Sequence, residues 1–212
     1  MPTNSYIAYS NDNLGTNSVV AQLLAGKVPV MSASDLYLNE HREYGLSTYC
    51  QHSDGSGVAI ASRLRPILNM RPKYRHWLSP SLWQLNADLH LTDWLEEKNL
   101  DFDVVTDEDL HLEGVDMLNR YKCVLTGSHP EYSSEKMLAA YESYQLNGGR
   151  WIYLGSDGFY WISEYHPDNP NIIEVRKGEA GTRAWTANPG EYNNCLLYTS
   201  DAADDLLCVD LG

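Results

Sequence analysis

Basic residues are scarce in this chain: 15 Lys and Arg stand against 29 Asp and Glu over 212 residues, a formal net charge of −14 at pH 7. A face that holds nucleic acid or an anionic membrane needs clustered positive charge, so neither is an expected partner. Long apolar runs are missing as well. No stretch approaches the roughly 20 residues of a membrane span, and the opening MPTNSYIAYSN has neither the basic nor the apolar region of a signal peptide, which makes the cytoplasm the default compartment. Gly-x-Ser-x-Gly, the turn of a nucleophile elbow, does not occur, and neither does the Pro-Cys-x-x-Cys that a nucleobase deaminase would need beside its His-x-Glu. Phenylalanine is down to 2 residues, whereas tyrosine reaches 15.

Only 4 cysteines are present, and two of them fall in residues 195–212, CLLYTSDAADDLLCVDLG. That segment contains no basic residue, follows an unfinished pattern, and back-translates into the two parts of a transposase sequencing adapter. It is expected to be a non-native tail produced by a reading frame that ran off its insert. Removing its four aspartates from the total of −14 leaves −10 for residues 1–194. Cys50 and Cys123 then remain, which make neither a disulfide framework nor a zinc pattern.

Along the chain, residues 5–9 alternate polar and bulky side chains and predict a short strand. From 31 to 80 no helical period is sustained, so residues 1–86 read as a loop-rich first part of the domain. The organised part, residues 87–194, opens with Ala87, Leu91, Trp94 and Leu95 on one face of a helix. FDVV (102–105) predicts a strand, EGVDMLNRY (113–121) a helix, CVLT (123–126) a strand. Ser133 or Ser134 then caps a helix whose apolar side is Met137, Leu138, Tyr141 and Tyr144, stopped by Gly148 and Gly149. WIYL (151–154) is a third strand, and NIIEVRKGEAGTRAW (171–185) predicts one more followed by a Gly-bearing turn. Strands separated by helices pair in parallel through right-handed crossovers, which predicts an α/β fold.

In such a sheet, ligands bind outside the carboxyl ends of the strands. Those ends are polar here: TDED (106–109), TGSHPEY (126–132) and LGSDGFYW (154–161). His129 and Glu131 flank Pro130, and in an extended segment residues two apart point the same way, so an imidazole and a carboxylate should lie side by side. The pair could serve as metal ligand and base or as an acid/base couple, or it could be an ordinary capped turn. Asp157, between Gly155 and Gly158, could orient a substrate or simply form a tight turn.

YIAYSNDN (6–13), YCQHSDGSG (49–57), RLRPILNMRP (63–72), VVTDEDLHLEG (104–114), VLTGSHPEY (124–132), GGRWIYLGSDGFYW (148–161) and GEAGTRAW (178–185) together resemble the large subunit of the N,N-dimethylformamidase family. The resemblance implies an internal fragment of a longer chain, with a glutamine-amidotransferase-like (flavodoxin-like) parallel core. It also implies a mononuclear ferric ion (Fe3+), held by two tyrosines and a glutamate, that serves to hydrolyse small N-substituted formamides. On these motifs Glu131 is the carboxylate ligand, His129 and Asp157 are the catalytic groups, and Tyr9 and Tyr49 are the phenolate ligands, with Tyr6 and Tyr44 as neighbouring alternatives. A small subunit and homo-oligomerisation of the full-length protein are the expected assembly. The rival reading is a non-catalytic amidotransferase-like interaction or carbohydrate-related binding module. Because the tail was never selected to pack, deleting residues 195–212 should leave the thermal midpoint nearly unchanged. A loss of several kcal/mol, the range for stripped core, would show the segment to be native.

Overall fold

The computed structural model describes residues 1–12, 32–50, 52, 58–76, 81–155 and 157–175. The SDGSG stretch, the turn after residue 175 and the tail lie outside them. No helix among the described residues is long and apolar enough to cross a membrane. In chain order the elements are α1 (Thr3–Ala8), α2 (Ala33–Glu40), β1 (Ile60–Ser62), α3 (Leu85–Glu97), α4 (Asp107–Glu113), α5 (Val115–Leu118), β2 (Cys123–Leu125), β3 (Tyr132–Ser133), α6 (Glu135–Leu146), β4 (Arg150–Ile152), β5 (Trp161–Ile162), β6 (Glu164–His166) and β7 (Asn169–Glu174).

Strands β2 and β4 pair in parallel with Val124 opposite Trp151, and α6 is the crossover between them. A second parallel pair joins β3 to β5, with Tyr132 opposite Trp161. β1, β7 and β6 form a separate antiparallel sheet in that order. Residues 102–105 add no strand to β2: Val104 is half exposed and the segment carries no ladder, so the three-strand parallel run expected from the sequence is here two short pairs.

Helix α6 begins where its chemistry dictates. The Ser134 hydroxyl accepts the Met137 N–H at 3.3 Å, an N-cap that satisfies one of the orphan donors of the first turn. Its buried face, Met137, Leu138, Ala140, Tyr141 and Tyr144, packs with Leu110, Met117, Leu118, Trp151 and Phe159 into one core. Gly148 ends the helix at φ 84°, a left-handed turn that favours glycine. A second helix, α2, appears where no helical period was expected. Ser32 and Asp35 form a reciprocal capping box there, and a capping box of this kind can start a short helix whose hydrophobic pattern is weak.

The predicted strand at 5–9 is instead α1 and its C-cap. Residues 4–12 are all buried, so the alternation of polar and bulky side chains does not mark an inner and an outer face. Its polar groups are satisfied by long-range partners: Asp107 accepts the Asn4 N–H at 2.8 Å, Tyr165 donates to Asn4 Oδ1 at 2.7 Å, and Ser5 Oγ donates to the His129 carbonyl at 2.7 Å. Tyr9, Ile7 and Ala8 join Tyr132, Trp161, Tyr165, Ile173 and Val175 in the second core.

Burial raises the Asp107 carboxyl to about 7, against the pull of the Met1 ammonium and the Asn4 N–H, with the charge of Asp88 adding to the rise. A raised acid binds its proton more tightly when folded. Stability from this group is therefore full below the unfolded value of 3.8 and is lost as pH rises through about 7. Urea unfolding at pH 5 and pH 8 should show a drop in stability that narrows in Asp107→Asn; an equal drop in both proteins would exclude this carboxyl as its source.

Candidate metal-binding and catalytic site

Two halves of the chain meet at Glu131. On one side, the Ala8 carbonyl at the end of α1 accepts three donors, the Thr48 N–H at 3.0 Å, Ser47 Oγ at 3.1 Å and Thr48 Oγ1 at 3.2 Å. The half-buried Arg65 guanidinium ties the same two segments, donating to the Leu46 carbonyl at 2.6 Å and the Ile7 carbonyl at 3.0 Å. These bonds set Tyr49 beside Tyr9, and the two rings stack with centroids 4.5 Å apart.

On the other side, the turn after β2 is clamped. Asp88 takes the Ser128 N–H at 2.5 Å with one oxygen and the Tyr6 hydroxyl with the other. Gly127 passes so close that an added Cβ would lie 2.2 Å from Pro2 and 2.9 Å from Asp88. The Pro130 carbonyl accepts from Phe159 N at 2.7 Å and the Glu131 carbonyl from Trp161 N at 2.9 Å. Around Pro130 the backbone is not simply extended: Glu131 N–H donates back to the His129 carbonyl at 3.0 Å, closing a three-residue turn. The side chains still meet, with His129 Nε2 2.9 Å from Glu131 Oε2.

The Glu131 carboxylate, 4% exposed, gathers the set. Tyr49 donates its hydroxyl to Oε1 at 2.6 Å and lies 2.8 Å from the Tyr9 hydroxyl, so three oxygen-bearing side chains converge. Desolvation, and after it the charge of Glu131, holds the Tyr9 and Tyr49 phenols well above their ordinary pKa. Among the described residues no group of three or more His, Cys, Asp or Glu converges as a metal site would require, so a metal-binding reading depends on the tyrosines.

Tyr6 and Tyr44 are elsewhere. The Tyr6 hydroxyl bonds Asp88, and Tyr44 is 42% exposed in an aromatic group with Tyr37 and His41. Asp157 is exposed at φ 49° in the turn before Gly158, a conformation that Asp tolerates in tight turns.

Three neighbours were not singled out from sequence. The Trp161 indole N–H donates to Glu131 Oε1 at 3.0 Å; the parallel register that places Trp161 opposite Tyr132 is what brings it there. Trp83 packs 5.4 Å from Tyr9 and 5.6 Å from His129, centroid to centroid. Behind it, buried His76 stands perpendicular at 4.0 Å, its Nε2 3.3 Å from Asp12 Oδ2.

Residues 1–200 match the family described as N,N-dimethylformamidase beta subunit-like, C-terminal. The chain belongs to that family. It is 49% identical over 192 residues to the N,N-dimethylformamidase beta subunit of Paracoccus aminophilus and 48% identical over 192 residues to that of Alcaligenes sp. Each alignment covers 90% of this chain and 25% of the relative, so the chain spans about a quarter of the length of the curated relatives it matches. The resemblance in the motifs was to a large subunit, whereas the relatives carry the name beta. The family match also runs to residue 200, six residues into the segment expected to be a tail.

Replacing Trp161 by Phe keeps the ring and removes the donor to Glu131. Loss of one buried hydrogen bond should lower unfolding free energy by about 1–3 kcal/mol in urea titrations, and an unchanged midpoint would show that the indole N–H contributes nothing there.

Proposed function

We propose that this chain forms the metal-binding and catalytic part of an amide hydrolase acting on small N-substituted formamides. The observation that carries the reading is the convergence of Tyr9, Tyr49 and Glu131 beside His129, in a chain similar to beta subunits named N,N-dimethylformamidase. Two oxygens that neighbour each other in the shell of one ion, each bound at about 2 Å, lie about 3 Å apart. The separations of 2.8 and 2.6 Å fit that spacing. The donor chemistry fits too, since phenolates and a carboxylate are hard anionic oxygens suited to a trivalent ion.

Tyr9, Tyr49 and Glu131 would hold a mononuclear ferric ion, which when bound supplies Lewis-acid polarisation of the amide carbonyl and activation of water. A nearby trivalent charge also opposes what burial does to the phenols, favouring their ionised form. The protein's own work is done by the groups around it. Glu131 Oε2 orients the His129 ring, and His129 passes a proton to the leaving amine. Trp161 holds the other carboxylate oxygen in place. Asp157, on the surface, takes no step in this reading.

The two parallel strand pairs support a parallel α/β core, for which a glutamine-amidotransferase-like, flavodoxin-like fold is the form proposed here. The relatives' designation as beta subunits supports a companion subunit.

The test uses the full-length protein, reconstituted with ferric iron and assayed for dimethylamine release from dimethylformamide. Phenolate ligation should give a visible charge-transfer band. Glu131→Ala should weaken iron binding and bleach the band. His129→Ala should keep the colour and lower kcat by about 10²–10⁴, the range for general acid–base groups. A colourless protein without activity on any small amide would sink the hydrolase reading and leave the binding-module alternative.

A further inference from the structure

Five rings touch Tyr9: Tyr49, His76, Trp83, His129 and Tyr132. His76, His129 and Tyr132 are at most 5% exposed, and Trp161, behind Glu131, is 3% exposed. Tyr49 and Trp83 alone among the five are part exposed. Among the rings around Tyr9, then, Tyr49 and Trp83 are the ones that present surface beside the buried oxygens and His129. Tyr49 is engaged through its hydroxyl, which leaves the Trp83 indole as the apolar wall of that surface.

The backbone presents Trp83 with unusual care. Arg75 and Leu82 form an antiparallel bridge just before it, and Trp83 N–H donates to the Tyr74 carbonyl at 3.3 Å. The next residue, Gln84, has φ 51° and ψ −125°, a conformation that a side-chain-bearing residue rarely holds unless its surroundings impose it. Gln84 is 1% exposed and hydrogen-bonded by Asn69, and its own amide donates to the Ser5 carbonyl at 3.4 Å. Strain of this kind clusters at active sites and ligand clamps. The Trp83 plane is also set from behind by His76, perpendicular at 89°.

We propose that Trp83 is the residue that decides which amides this site accepts, its indole forming the wall against which the N-alkyl groups of a small neutral amide dock. The inference rests on the hydrolase reading and adds the determinant of substrate size. A leaving nitrogen served by His129 must lie within hydrogen-bond reach of that ring, about 3 Å. Its alkyl substituents then project outward, and the Trp83 ring, 5.6 Å from His129 and at 85° to it, stands where they would make contact. N-methyl groups carry a slight positive charge and suit the negative face of an indole. Larger N-alkyl groups would meet a ring whose backbone and backing are both fixed.

The experiment measures kcat and KM of the iron-loaded full-length protein on formamide, N-methylformamide, N,N-dimethylformamide and N,N-diethylformamide. Trp83→Ala should raise kcat/KM for the diethyl relative to the dimethyl amide by about tenfold or more, the scale on which one or two methylenes are discriminated in a pocket, with Trp83→Phe between. Visible absorption should stay the same in both variants, because Trp83 is no ligand. An active wild type whose diethyl-to-dimethyl ratio is unmoved in Trp83→Ala overturns this inference and leaves the hydrolase reading intact. Loss of colour in both variants overturns it by making Trp83 structural. A wild type inactive on the whole series removes the hydrolase reading and this inference with it.

Discussion

Burying the Glu131 carboxylate is the constraint around which the described parts of this protein are arranged. A carboxylate taken out of water is tolerated only where donors replace its hydration. Here they arrive from three directions: the Tyr49 hydroxyl from the first fifty residues, the Trp161 indole from β5, and His129 from the same turn. Each donor needs its own support. The Ala8 carbonyl with its three donors sets Tyr49, the parallel register of β3 and β5 sets Trp161, and Asp88 with Ser5 sets the turn that carries His129. Removing any one of them leaves the buried carboxylate with fewer donors to replace its hydration.

The same logic explains the polar character of α1. Its Asn4 and Ser5 face the interior because the second core is assembled around hydrogen bonds as much as around apolar contact. Asp88 and Asp107, both buried, receive backbone N–H groups of Ser128 and Asn4, so two acids act as fasteners between distant segments.

What the sequence disclosed depended on how local the cause was. Ser134 could be read as a cap because an N-cap is decided within four residues. His129 and Glu131 could be read as neighbours because only Pro130 separates them, and their side chains do meet. Tyr9 and Tyr49 could be named only through the family motifs, since no spacing rule relates positions 40 residues apart. Trp161 and Trp83 were passed over because their roles come from strand register and from a strained residue, Gln84, neither of which has a local signature. The strand expected at 5–9 failed for a related reason: with every residue from 4 to 12 buried, periodicity has no solvent side to report. At 102–105 a β-branched pair suggested a strand, but Val104 faces solvent and no partner strand lies alongside among the described residues.

The bonds to Glu131 and Ala8 also have a temporal consequence. Tyr49 is 82 residues from Glu131 in sequence, Trp161 is 30, and Thr48 is 40 from the carbonyl it meets. Contacts of such separation require large loops to close before they return any free energy, and chains dominated by them fold slowly. The capping boxes of α2 and α4 close within four residues, whereas the carboxylate stays hydrated until the first fifty residues dock. The order of assembly is thereby tied to the competence of the site: a chain that has not closed the loop between Tyr49 and Glu131 has an acid in water where the folded protein has a desolvated oxygen cluster.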